Sequence, residues 1–177
     1  MLDGEDRIVE RAVRGESSAF GLLYDHYQPM IYRFVAVKVS QREDAEDLTH
    51  QVFMSAWENM HSYRQRGFPF SSWLYRIARN RIVDHYRTKK ADLPLESVAE
   101  DVTALLVHST IPLEHHFEIE RVLTALHELR PDYQDVILMR FVEELSIKET
   151  AAALEKSEGA VKLLQHRALK ELKALLA

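Results

Sequence analysis

Apolar residues in this chain recur at spacings of three and four and nowhere alternate with polar ones over a useful length, so the chain is expected to be built from helices. In DAEDLTHQVFMSAW, Leu48, Val52, Phe53, Ala56 and Trp57 form one such stripe. The stretch Trp73–Arg87, WLYRIARNRIVDHYR, forms another, and it interleaves aromatic and aliphatic anchors with arginines. Pro29 suits the first position of a helix continuing MIYRFVAVKV, and Gly15 after IVERAVR suits a helix C-terminus. Glycine and proline cluster at Gly67–Pro69 in HSYRQRGFPFSS. That cluster predicts a loop carrying Tyr63, Phe68 and Phe70 between two helices.

Composition narrows the function. With 177 residues, 46% of them apolar, the chain can bury one core or two small ones. It has no cysteine, which excludes a disulfide framework, a thiolate nucleophile and a cysteine zinc site. No apolar run approaches the roughly 18 residues of a membrane span. The first residues, MLDGEDRIVE, are acidic where a signal peptide is basic and then apolar. A soluble, cytoplasmic protein without membrane insertion is the expectation. The nine histidines are scattered, no His-Glu-x-x-His occurs, and the neighbouring pair His115 and His116 would diverge on a helix. No catalytic centre, metal site or cofactor is expected, and the chain reads as a non-enzyme.

Charge falls in blocks. From Gln41 to Glu58 there are five acids and one base, so an acidic helix precedes the basic one. From Ser62 to Lys90, eight Arg or Lys (Arg64, Arg66, Arg76, Arg79, Arg81, Arg87, Lys89, Lys90) face the single acid Asp84, in a chain whose net charge is −5. Dense cations with interleaved rings are the footprint of a nucleic-acid surface. From Ala91 to Glu120 there are seven acids and no Lys or Arg, with Pro94 and Pro112 inside. This stretch reads as an acidic linker, although VTALLV at 102–107 could form a helical turn or two.

The C-terminal third gives an independent signal. Ser146 and Glu149 form a capping box that starts a short helix ending near Leu154. A turn at Glu155-Lys156-Ser157 leads into a longer helix with Val161, Leu164, Ala168, Leu172 and Leu175 as its buried stripe. Two helices joined this way form a helix-turn-helix candidate. On the second, Lys162, His166, Lys170 and Lys173 follow one another at intervals of three or four with Arg167 beside them, a stripe suited to duplex phosphates.

Four segments in order, FGLLYDHYQPMIYRFV, DAEDLTHQVFMSAW, WLYRIARNRIVDHYR, and LRPDYQDVILMRFVEELSIKETAAAL with SEGAVKLLQHRALKEL, resemble the bacterial sigma-70 family, in its small extracytoplasmic-function type. The resemblance implies an all-α fold of two small helical domains joined by a flexible linker. Residues 1–90 would be sigma region 2, binding core RNA polymerase and the promoter −10 element. Residues 91–116 would be the linker, and 117–177 region 4, binding the −35 element through its helix-turn-helix. It implies core-polymerase docking by Asp44, Asp47, Gln51 and Phe53. It assigns −10 DNA to Tyr63, Arg64, Phe68, Phe70, Arg76, Arg79, Asn80 and Arg87, with Asn80 reading a base edge and the 63–70 loop capturing an extruded base. For −35 DNA it implies Ser157, Lys162, Leu163, His166, Arg167 and Lys170. The implied partners are core RNA polymerase, promoter DNA and an anti-sigma factor.

Two positions depart from the family pattern. Glu155 stands where the turn usually has glycine, so a Cβ is expected in a left-handed conformation. Leu163 and Leu164 stand where relatives carry a small polar residue and an arginine, which changes what this helix can read. Trp73 is either a core residue or a wedge at the melted strand. A helix-turn-helix repressor or activator acting without polymerase is the rival reading, and it leaves the Trp73–Arg87 block unexplained.

Overall fold

The computed structural model describes residues 2–39, 41–64, 67–88 and 116–177, with side chains from 118 onward in the last stretch. Arg66, Lys89, Lys90, the linker with its VTALLV turn, and the His115–His116 side chains lie outside the described residues. Within them all regular structure is helical, as the spacing predicts.

In the N-terminal half, α1 spans Glu5–Val13 and α2 spans Ser17–Ala36. Helix α3 spans Arg42–Asn59 and continues as a 3₁₀ turn, Met60–Ser62; α4 spans Phe70–Thr88. Gly15 ends α1 with φ +91°, as expected of a helix C-terminus. Pro29 does not begin a helix. It sits inside α2, whose buried residues Ala19, Leu23, Tyr27, Ile31 and Phe34 keep one phase across it. Proline removes one amide donor to the preceding turn, a cost of about 3 kcal/mol or more in a helix interior. Each large side chain on that stripe contributes about 1.5–3 kcal/mol on burial, so core packing carries the helix through. Leu48, Val52 and Phe53 of α3 and Leu74, Tyr75 and Ala78 of α4 close the same core.

In the C-terminal half, α5 spans His116–Glu128 and α6 spans Pro131–Ile137, with Pro131 in its first turn. A π-helical segment, Leu138–Val142, follows. The expected capping box begins α7, Ile147–Leu154: Ser146 Oγ accepts from the Glu149 amide at 3.1 Å, and the Glu149 carboxylate accepts from the Ser146 amide at 2.5 Å. Glu155 then adopts φ 54°, ψ 40°, the left-handed conformation expected there. Helix α8, Glu158–Leu176, is capped by Ser157 and buries Val161 and Ala168, with Leu164 and Leu172 half-buried against the core. Leu175 stays exposed, so the predicted stripe ends before the last turn.

The halves meet where α4 packs across α7. Ser72 donates to the Glu149 carbonyl at 3.2 Å, and Arg33 forms a two-pronged pair with Glu143 at 2.8 Å on each oxygen. Lys38, buried at the end of α2, pairs with the equally buried Asp135 of α6.

Candidate nucleic-acid interface

Helical spacing places Arg76, Arg79, Asn80 and Arg87 along one side of α4. Asn80 and Arg87 are exposed, and Arg87 forms a 3.6 Å pair with Asp84. Arg76 and Arg79 are turned toward the C-terminal half. Arg79 donates to Asp135 at 2.8 Å and to Asp132 at 3.1 Å; Arg76 donates to Glu155 at 3.2 Å. Burial disfavours the Arg79 cation, and the bonds and charges of Asp135 and Asp132 outweigh it, raising its pKa above the ordinary value. In this arrangement carboxylates occupy the positions on α4 that suit phosphates.

Beside this row opens a cavity of about 570 Å³, lined by Asn59, Tyr63, Arg64, Phe68, Trp73 and Arg76 among others, with Ala152 of α7 at its edge. Its volume falls within the usual range of small-ligand pockets. The Tyr63 ring packs 4.8 Å from Trp73 and 5.5 Å from Phe70, and Phe70 lies 5.4 Å from Trp73. Burial, with the charges of Glu5 and Asp6 next, pushes the Tyr63 hydroxyl up to about 12. It therefore remains a neutral donor at neutral pH. Phe68 is half-buried, with the Lys148 ammonium 5.4 Å from its ring centre. Trp73 is at once packed on the core and open to the cavity.

Phe70 departs from expectation. As the first residue of α4 its ring points into the core and is 1% exposed, so it supports the ring wall and cannot itself meet DNA. Phe53 is only 3% exposed, because its helical phase matches Leu48 and Val52, and its ring packs edge-on at 4.8 Å against Tyr24. The neighbouring surface of α3 offers Asp47, exposed and bonded by Gln51 at 2.6 Å, and Asp44, which lies 3.8 Å from His85. An apolar hollow of about 280 Å³ adjoins them, lined by Phe20, Tyr24, Phe53, Met54 and Trp57 among others. Met54 is 50% and Trp57 39% exposed, so Trp57 belongs to this surface although its spacing places it on the core stripe.

On α8, Lys162, Leu163, His166, Arg167 and Lys170 are turned outward, and Ser157 sits at the helix start. Leu164 turns half inward, which leaves Leu163 as the leucine of the pair that faces outward. Among the described residues no cluster of His, Asp or Glu could hold a metal ion. No described helix is long and apolar enough to cross a membrane.

Sequence reasoning missed the acids Asp132, Asp135, Glu143 and Glu155 as partners of the basic residues, and it missed Met54 and Tyr24. The acids are separated from their partners by up to 110 residues, and no local pattern signals such pairing.

The chain's two halves match two family models. Residues 23–91 match sigma-70 region 2, and residues 119–172 match sigma-70 region 4. The extracytoplasmic-function RNA polymerase sigma factor BldN of Streptomyces coelicolor is 37% identical over 172 residues, which are 96% of this chain and 64% of that protein. The chain thus spans somewhat less than two thirds of that relative. The sigma factor SigD of Mycobacterium tuberculosis is 31% identical over 180 residues, covering 97% of this chain and 84% of the relative. Among solved structures, that of CnrH in complex with the cytosolic domain of CnrY superposes with a TM-score of 0.74 at 25% identity, over 97% of this chain and 96% of the other.

Proposed function

The chain belongs to the sigma-70 family, in its extracytoplasmic-function type, and from that premise we propose that it binds core RNA polymerase in the cytoplasm and directs promoter recognition, strand opening and initiation, with no catalysis of its own. Residues 1–90 serve the polymerase and the −10 element, residues 91–116 connect, and residues 117–177 serve the −35 element.

The observation that carries this reading is the pairing, on one side of the N-terminal half, of an arginine row with an aromatic cavity. Arginines hold phosphates without regard to sequence, whereas rings can stack only on a base that has left the duplex. A surface with both suits DNA at the moment it opens. Arg64, Arg76, Arg79 and Arg87 hold the backbone, Asn80 offers an amide to a base edge, and Tyr63, Phe68 and Trp73 receive the extruded base. Phosphates on Arg76 and Arg79 replace Glu155, Asp132 and Asp135, so engagement requires the halves to part. The α8 stripe grips duplex phosphates, while Ser157 and Leu163 approach base edges, where a leucine favours a thymine methyl.

Docking on polymerase falls to Asp47, Gln51 and Asp44 with the apolar hollow at Met54 and Trp57. The acids orient the encounter and the rings supply buried area. A regulator of the anti-sigma class is a further partner, supported by CnrH having been solved with the cytosolic domain of CnrY. A regulator acting without polymerase would leave the α4 row and the cavity without a task.

The test compares closed-complex formation with permanganate reactivity of −10 thymines for polymerase carrying Phe68→Ala. The expected result is normal closed-complex affinity with impaired opening. Normal opening with weakened closed complexes would return the rings to a purely structural role.

A further inference from the structure

One buried carboxylate takes no part in the surfaces described above. Glu5, at the start of α1, is 5% exposed. Its Oε1 accepts from the Phe70 amide at 3.2 Å, and its Oε2 accepts from the Tyr27 hydroxyl at 2.5 Å and from the Leu2 amide at 3.3 Å. The Phe70 amide is one of the donors that the first turn of α4 cannot satisfy internally, and a negative charge there is favoured by the helix dipole. Glu5 therefore caps α4 from 65 residues away.

What it caps matters to the cavity. Tyr27 packs on Phe70 with ring centres 5.9 Å apart, and Phe70 in turn supports Tyr63 and Trp73, which face the cavity. One carboxylate thus fixes both the backbone at the start of α4 and the lowest ring of the stack. Burial and the Glu5 bond raise the Tyr27 hydroxyl far above the ordinary tyrosine value, so it remains the donor throughout the physiological range.

We propose that Glu5 is a positioning residue for base capture, holding the rings in the register that lets the cavity distinguish one base from another. The inference rests on the proposed function. A pocket selects a base by rings and donors held to fractions of an ångström, and a wall free to shift still stacks on any base but no longer tells them apart.

The test uses holoenzyme reconstituted from core polymerase and full-length chain. The probes are single-stranded oligonucleotides carrying the −10 segment of a promoter obtained by genomic selection, with each of the four bases placed in turn at each −10 position. The readout is the ratio of affinities for preferred and other bases, which does not depend on the fraction of protein folded. Glu5→Ala is expected to lower that ratio about tenfold while leaving core affinity within about twofold. Glu5→Gln, which retains an oxygen for the Phe70 amide, is expected to keep it within about threefold of wild type. Should Glu5→Ala fail to fold, Tyr27→Phe removes one bond and keeps the ring, and an intermediate loss of selectivity is expected. An unchanged ratio in folded Glu5→Ala, or in Tyr27→Phe if that variant must stand in, overturns the proposal. Absence of base selectivity in the wild-type holoenzyme would instead overturn base capture itself.

Discussion

Neutralising the acids that face α4 should make the free protein a better binder of single-stranded −10 DNA. Arg76 pairs with Glu155 at side-chain exposures of 40% and 66%, and Arg79 pairs with Asp132 at 28% and 31%. Pairs this accessible contribute about 0.2–1 kcal/mol each, so Asp132→Asn with Glu155→Gln should weaken the closed arrangement by about 1 kcal/mol. When the competent state is a minor one, apparent affinity follows its population, which gives a gain of about fivefold. Asp135 is the wrong residue to change. It serves both Lys38 and Arg79 while 2% exposed, and its loss would strand buried charge at a cost of about 3–5 kcal/mol. The assay is fluorescence anisotropy of a labelled −10 oligonucleotide titrated with free protein at fixed salt. Fewer acids attract DNA more strongly in any case, so the control is Glu43→Gln with Glu58→Gln, two exposed acids on α3. If the Asp132 and Glu155 variant binds no more tightly than this control, the acids do not compete with DNA.

On α8, Lys162→Ala, Arg167→Ala and Lys170→Ala should each weaken promoter binding across sequences and reduce the salt slope by about 0.9 for each phosphate no longer neutralised, read from titrations at several salt concentrations. Trp57→Ala and Asp47→Lys should each weaken core-polymerase binding in an equilibrium assay with helicity unchanged by circular dichroism, because both side chains are exposed. Burial lowers the His127 pKa below its ordinary 6.5, so the unfolded chain binds the extra proton more readily. Stability should therefore be full above that unfolded value and fall as pH drops through it; His127→Gln should flatten this part of the denaturation profile.

The left-handed Glu155 was legible only through the family resemblance, whereas helix formation was legible because it rests on local spacing, and the Ser146–Glu149 box because it is a rule about a few consecutive residues. Pro29 misled for the same reason. A local preference for the first turn lost to a stripe running from Ala19 to Phe34. Phe70 shows the limit of a motif, which says that a ring belongs to a segment but not which way the helix turns it. The basic character of α4 could be counted from the sequence, while its pairing with Asp132, Asp135 and Glu155 could not. Those pairs, like the Glu5 cap on α4, join residues that only the packed helices bring together.

The central claim is that this chain gives core polymerase its promoter. Its most direct test is run-off transcription reconstituted from purified core polymerase, the chain, and DNA fragments selected from the genome by the resulting holoenzyme. The account predicts discrete transcripts from a defined start that appear only when both proteins are present, alongside co-elution of the two without DNA. Binding of the chain alone to duplex sites, with no association with core polymerase and no transcript from any selected fragment, would contradict it.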